Sequence, residues 1–194
     1  MKIVRTDKEL HTPTIDAKIK EAGHQLVLLP DGITEDQLIE ETKDTDLILM
    51  CYTPITRRVI EAAKKLKGIV KYGVGIDAID IPAAAAKGIP VVNIPEYAEE
   101  TVAEGAFAML IALAKKLPAI QNQMENNGWA WPEPKWLGSD IAGKTLGIVG
   151  FGKIGKSMAR IANHGFRARV IAFSPHTEDQ EMEKFRVTKY NSLN

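Results

Sequence analysis

Cysteine is almost missing from this chain: Cys51 is the only one. No intramolecular disulfide can form, and its setting in the apolar run LILMC makes it a buried core thiol rather than a reactive nucleophile. Charge of either sign in excess is missing too. Lys plus Arg number 25 and Asp plus Glu number 25, so there is no general positive field for nucleic acid or an anionic membrane. No apolar run approaches the ~20 residues that a membrane span requires. The opening MKIVRTDKEL lacks the apolar stretch of a signal peptide. The expectation is a cytoplasmic protein with no nucleic-acid partner and no membrane contact. The histidines at 11, 24, 164 and 176 are scattered without metal-ligand spacing, so no metal is expected. Internal repeats and low-complexity tails are absent as well.

What is present is ordinary globular material, 45% hydrophobic and 26% charged, enough for a real core. Short apolar runs alternate with helical patterns. Met1–Arg5, Gln25–Leu29, Leu47–Cys51, Ile69–Tyr72 and Val91–Ile94 read as strands. Pro13–Ala22, Thr34–Glu41, Thr56–Lys65 and Ile81–Lys87 read as helices, with Gly23 and Gly88 as stops. That alternation predicts a parallel sheet covered on both faces.

Thr101–Lys116 reads as the longest helix, with Val102, Phe107, Leu110 and Leu113 on its apolar face and Pro118 ending it. The stretch from Gln121 to Ser139 reads as a polar connection whose Trp129, Trp131 and Trp136 pack onto the core. Beyond it, Lys144–Val149 is a strand, Lys153–Asn163 a helix with Ile154, Met158 and Ile161 on one face, and Val170–Phe173 a strand. One more strand is possible near Arg186–Thr188.

The strand TLGIV runs directly into GFGKIG, a helix follows at Lys153, and the strand VIAFS comes next. This is the order that a dinucleotide fingerprint demands. Gly150 would permit the tight turn, Gly152 would let backbone approach a pyrophosphate, and Gly155 would let helix pack on strand. The amides of Lys153 and Ile154 would face the phosphates. The acidic residue that bonds the ribose hydroxyls about 20 residues on is missing; Ser174 stands there, followed by Pro175, His176 and Thr177. Ser174 and His176, with Arg167 or Arg169 nearby, would tolerate a 2′-phosphate. The cofactor is therefore NAD or NADP, leaning to NADP. A second glycine turn, YGVGID at Tyr72–Asp77, follows a strand, and the amides of Val74 and Gly75 could hold a carboxylate there.

Together these pieces resemble the D-isomer-specific 2-hydroxyacid dehydrogenases over essentially the whole chain. TPITRRVIEAAKKLKGIVKYGVGIDAIDIPAAAAKGIPVVNIP resembles the substrate-domain core of that family, ETVAEGAFAMLIALAKKL its crossing helix, and GSDIAGKTLGIVGFGKIG the start of its cofactor domain. The resemblance implies an α/β protein. Residues 1–98 would be a flavodoxin-like parallel-sheet substrate domain, and 99–194 the first βαβ of an incomplete Rossmann NAD(P) domain. It implies that Val74 and Gly75 hold the substrate carboxylate and that Thr101 lies near the nicotinamide. Gly150, Gly152, Lys153, Ile154, Gly155, Ser174 and His176 would serve the cofactor.

In that family the catalytic arginine, glutamate and histidine follow the second cofactor-domain strand, and none of their motifs is present here. No catalytic residue is therefore assigned. The expectation is an N-terminal fragment of an oxidoreductase interconverting a 2-oxo acid and a D-2-hydroxy acid, a homodimer through its crossing helix, with this chain alone inactive. A truncated, non-catalytic dinucleotide-binding protein is the alternative. A flavodoxin-like receiver module is disfavoured, because Asp7 stands alone where clustered acids would be needed. The end of the second cofactor-domain strand is expected to border an unfilled sheet.

Overall fold

The computed structural model describes residues 1–129 and 131–193. The chain forms two compact units, Met1–Glu96 and Tyr97–Asn194.

The first unit carries five strands, β1 (Lys2–Arg5), β2 (Gln25–Leu28), β3 (Leu47–Met50), β4 (Gly68–Lys71) and β5 (Val91–Val92), all paired parallel in the order β2-β1-β3-β4-β5. This is the flavodoxin-like doubly wound order. The helices between them are α1 (Pro13–Glu21), α2 (Glu35–Thr42), α3 (Arg57–Ala62) and α4 (Ile81–Ala86). Each of the last three begins where the sequence supplies an N-cap oxygen. Thr34 forms a capping box with Gln37, Thr56 accepts from the Val59 N–H, and Asp80 accepts from the Ala83 N–H.

Successive strand side chains point to opposite faces. Val4, Ile48, Met50 and Ile69 turn to one face and pack with Leu38, Val59, Ile60 and Ala83 from α2, α3 and α4. Burying each large aliphatic side chain of this kind contributes about 1.5–3 kcal/mol. Arg5, next to Val4, turns to the other face, where it pairs with Asp16 of α1 at 3.0 Å. Residues 93 and 94, expected to extend β5, lie beyond its ladder, which ends at Val92.

The second unit carries α5 (Glu99–Ala114), α6 (Leu117–Asn127), a 3-10 turn (Pro134–Trp136), β6 (Thr145–Val149), α7 (Lys153–Arg160) continued by a π-helical turn (Ile161–Gly165), β7 (Arg169–Phe173), α8 (Asp179–Glu183) and β8 (Val187–Tyr190). The parallel sheet runs β6-β7-β8. It therefore holds a full βαβαβ rather than a first βαβ. The second strand is not a bare edge as expected, because β8 pairs along it from Val187 to Tyr190. The edge strands of this sheet among the described residues are β6 and β8.

Three other expectations for this unit are overturned. Pro118 starts a helix instead of closing one: it lies in the first turn of α6, where a missing N–H costs nothing, after Lys116 reverses the chain at φ 55°. Trp129 and Trp131 do not pack on the core, being 67% and 72% exposed. On α5, Ala103 and Phe107 are buried, and Phe107 stacks on Phe166 at 5.1 Å. Val102 and Leu113, expected inward, face out at 46% and 73% exposed with Met109, on a stripe turned about 120° from the buried one. On α7 Gly155, Ser157 and Ala159 are buried, Met158 and Ile161 are half-buried and pack against the core as expected, and Ile154 alone of the three faces out.

One face of β6-β7-β8 packs Leu146, Ile148, Val170, Ala172 and Val187 against α7 and α8 through Ala159, Ala162 and Met182. The opposite face is uncovered among the described residues. A shallow hollow of about 330 Å³ runs across Gly147, Val149, Ile171, Phe173 and Tyr190.

Candidate functional site

In the first unit the chemistry-bearing groups lie where β1, β3 and β4 end, the edge at which open parallel sheets bind ligands. The acid that stands alone in the sequence, Asp7, is not available to a ligand. It is 3% exposed, and its φ of 54° is one that aspartate tolerates. Its carboxylate accepts from the N–H groups of Cys51 at 2.9 Å, Tyr52 at 3.1 Å and Thr53 at 3.1 Å, and from the hydroxyls of Thr53 at 2.9 Å and Thr6 at 2.6 Å. Burial pushes this carboxyl up, but the hydrogen bonds outweigh it and hold it below the ordinary range. Next to it, Tyr72 donates its hydroxyl to the Thr6 carbonyl at 2.8 Å. Burial pushes the Tyr72 phenol up to about 12, with the charge of Asp7 adding to the shift and Arg5 opposing it.

The loop after β4 begins over Lys71. This buried ammonium donates to the Cys51 carbonyl, stands 3.8 Å from the Cys51 sulfur, and lies 5.2 Å from the Tyr52 ring centre. A Cβ at Gly73 would come within 2.9 Å of the Lys71 Cε, so glycine leaves room for the lysine stem. Val74 and Gly75 are exposed. Their N–H groups have no acceptor among the described residues. The Gly73 carbonyl accepts from the Ile94 N–H at 3.0 Å, and the Val74 carbonyl accepts from the Asn93 side chain at 2.6 Å. Asn93 and Lys71 were not singled out from sequence, since a lone Asn and a lone Lys carry no motif.

In the second unit the turn from β6 to α7 carries the fingerprint. Gly150 has φ 92°, open only to glycine at ordinary cost, and its N–H donates to the Phe173 carbonyl at 2.8 Å. A Cβ at Gly155 would overlap the Gly150 carbonyl oxygen. A Cβ at Gly152 would meet no protein atom within 4 Å. Gly152 is the N-cap of α7 and offers no side-chain acceptor to the first turn. Lys153 and Ile154 follow it on that turn, both exposed.

At the end of β7, Ser174 is buried and its hydroxyl lies 2.9 Å from that of Thr177, inside a turn closed by the Thr177 N–H on the Ser174 carbonyl at 3.3 Å. His176 is exposed on that turn. Arg167 and Arg169 do not join them. Both stand at the start of β7, and the strand, rising about 3.3 Å per residue, separates them from Ser174. Thr101 is exposed in the first turn of α5. The residue before it was missed: Glu100 accepts from the Ser157 hydroxyl at 2.8 Å and pairs with Arg160, so it ties the start of α5 to α7. His164 lies in the π-helical turn, at the far end of α7 from Gly152.

Among the described residues no helix is long and apolar enough to cross a membrane. Residues 5–186 match the family model for the D-isomer specific 2-hydroxyacid dehydrogenase catalytic domain. The chain is 35% identical over 195 residues to a D-3-phosphoglycerate dehydrogenase of Methanocaldococcus jannaschii, covering 100% of this chain and 36% of that protein. It is 41% identical over 150 residues to a glyoxylate reductase of Korarchaeum cryptofilum, covering 75% of this chain and 45% of the relative. An acyclic imino acid reductase, solved in complex with NADPH and D-Arg, superposes with a TM-score of 0.82 at 28% identity over 98% of this chain and 60% of its own. The chain thus spans between a third and a half of the length of these curated relatives.

Proposed function

The chain belongs to the D-isomer-specific 2-hydroxyacid dehydrogenase family, and from that premise we propose that it carries the carboxylate-binding and dinucleotide-binding parts of an NAD(P)-dependent oxidoreductase. The reaction is the interconversion of a 2-oxo acid and a D-2-hydroxy acid. Residues 1–98 serve the substrate and residues 99–194 the cofactor.

The observation that carries this reading is the glycine turn after β6. Gly150 needs its positive φ and Gly155 has no room for a side chain, so both are explained by the protein's own packing. Gly152 is explained by neither, since open space surrounds it. A pyrophosphate seated there accounts for the third glycine, and the N-terminus of α7 supplies N–H groups and the positive end of the helix dipole to it. Gly150, Gly152 and Gly155, with Lys153 and Ile154, hold the phosphates. Ser174 and His176 flank the ribose, where no carboxylate repels a 2′-phosphate. Thr101, carried by the α5 turn that Glu100 anchors, borders the nicotinamide. The dinucleotide supplies the hydride when bound.

On the other unit, the Val74 and Gly75 amides hold the substrate carboxylate. Returning a hydride to a 2-oxo acid leaves an alkoxide that needs a proton. His164 is at the wrong end of α7, and His176 is assigned to the ribose. The reading therefore gives this chain binding without turnover. It also gives it a homodimer through the outward stripe Val102, Met109 and Leu113 of α5.

The test is calorimetric titration of the 194-residue chain with NADPH and NADH, followed by a 2-oxo acid with nicotinamide absorbance as readout. Dinucleotide binding without oxidation of the nicotinamide is the expected result. No binding of either dinucleotide would sink the reading, and turnover would overturn the assignment of His164 and His176.

A further inference from the structure

The loop Gly73–Val74–Gly75 is held from one side only. Two of its three carbonyls are taken by the segment just past β5: the Gly73 carbonyl by the Ile94 N–H at 3.0 Å, and the Val74 carbonyl by the Asn93 carboxamide at 2.6 Å. Among the described residues there is no cis peptide bond. In a trans peptide the C=O of one residue and the N–H of the next point in opposite directions. Fixing the Gly73 carbonyl toward residues 93–94 turns the Val74 N–H away from them. Fixing the Val74 carbonyl the same way turns the Gly75 N–H away as well. Both N–H groups then lie on the free side of the loop, and neither has an acceptor among the described residues.

The two anchors differ. Ile94 uses its backbone, which any residue but proline could supply. Asn93 uses its side chain, and only a donor of the right reach can take the Val74 carbonyl. The loop is otherwise free to turn. Val74 and Gly75 are exposed, and a Cβ at Gly75 would touch only Asp77. Without the Asn93 bond, the Val74–Gly75 peptide can rotate and present its carbonyl where its N–H now stands. A carbonyl there repels a carboxylate.

We propose that Asn93 is the positioning residue of the anion cradle: by capturing the Val74 carbonyl it turns the Gly75 N–H, beside that of Val74, toward the substrate carboxylate. The inference rests on the reading that these two amides receive the carboxylate, and it adds the side chain that aims them. Asn93 touches no substrate in this account and acts only through the loop. Substitution therefore weakens carboxylate binding without altering the sheet.

The experiment is amide NMR of the whole 194-residue chain titrated with oxamate, which carries a carboxylate beside a carbonyl as a 2-oxo acid does. In the parent chain oxamate moves the Val74 and Gly75 amide protons downfield, the signature of N–H donation to an anion. Asn93→Asp keeps the size but removes the donor, and Asn93→Ala removes the group entirely. Each is expected to weaken the oxamate response of these two amides by about tenfold or more, a loss near 1.4 kcal/mol, with the amides of β1, β3 and β4 unmoved. Equal responses in parent and variants would overturn the role of Asn93 while leaving the cradle standing. A parent chain whose Val74 and Gly75 amides ignore oxamate would overturn both. If Asn93→Asp fails to fold, Asn93→Ala decides alone, since it buries no new charge.

Discussion

The Asp7 carboxylate accepts a 2.9 Å hydrogen bond from the backbone N–H of Cys51, 44 residues away in the chain. With the adjacent bonds from Tyr52 and Thr53 it ties the end of β1 to the loop leaving β3. These two strands are the ones on either side of the point where the strand order reverses. The crevice there is closed by the protein's own carboxylate.

Asp7→Ala is expected to destabilise the chain by about 3 kcal/mol or more, since each buried donor left without an acceptor costs about 1–3 kcal/mol. Urea unfolding checks this. The acid dependence follows from the depressed carboxyl. The unfolded chain takes up the proton near the ordinary aspartate value, and the folded chain only below it. The contribution of Asp7 is complete above about pH 4 and fades as pH falls further. Asp7→Ala should unfold with a flatter pH dependence in that range, and a profile parallel to the parent's would refute the assignment.

Tyr72 should stay protonated when exposed tyrosines ionise. Its phenol is raised to about 12, so the stability it contributes is present below the ordinary tyrosine value near 10 and is lost as pH rises through the folded one. An ultraviolet phenolate titration should show a late step above the ordinary tyrosine value. Tyr72→Phe should remove that late step.

Gly152 and Gly155 should separate binding from folding. Gly155→Ala drives a Cβ into the Gly150 carbonyl and should cost about 1–3 kcal/mol of stability, as overpacking does. Gly152→Ala meets no protein atom and should leave stability within about 0.5 kcal/mol. It should nevertheless weaken NADPH binding by tenfold or more. Thermal unfolding beside calorimetric titration tests the pair, and normal NADPH affinity in Gly152→Ala would refute a pyrophosphate at that glycine.

Ser174→Asp should shift the dinucleotide preference. A carboxylate at the end of β7 favours the ribose hydroxyls and repels a 2′-phosphate. The ratio of NADPH to NADH affinity should fall by about tenfold, which is 1.4 kcal/mol. The substitution also removes the Ser174–Thr177 contact, so unfolding is measured alongside.

Much of the architecture was legible along the chain. Strands such as Leu47–Met50 and helices such as the one capped by Thr34 announce themselves through apolar period and local capping, which depend on neighbours in sequence. The fingerprint glycines were legible for the same reason: a turn, a helix start and a close approach are all decided within six residues. Failures came where the local cue points two ways or the partner is distant. Pro118 reads equally as a stop or a first-turn proline, and the left-handed Lys116 before it decides which. Trp129 and Trp131 read as core material, but nothing among the described residues covers them.

The order of strands and helices in the first unit, the family and the two glycine turns could be read along the chain, because each of these is written in residues close together in sequence. What the isolated polar residues do is settled by the packing of distant segments. Asp7 is consumed by amides from residues 51 to 53, Glu100 is bound to Ser157 and Arg160, and Asn93 reaches back to Val74. A hydrogen bond is made across a few ångströms of space, and one residue type at one position says nothing about what the fold will bring beside it.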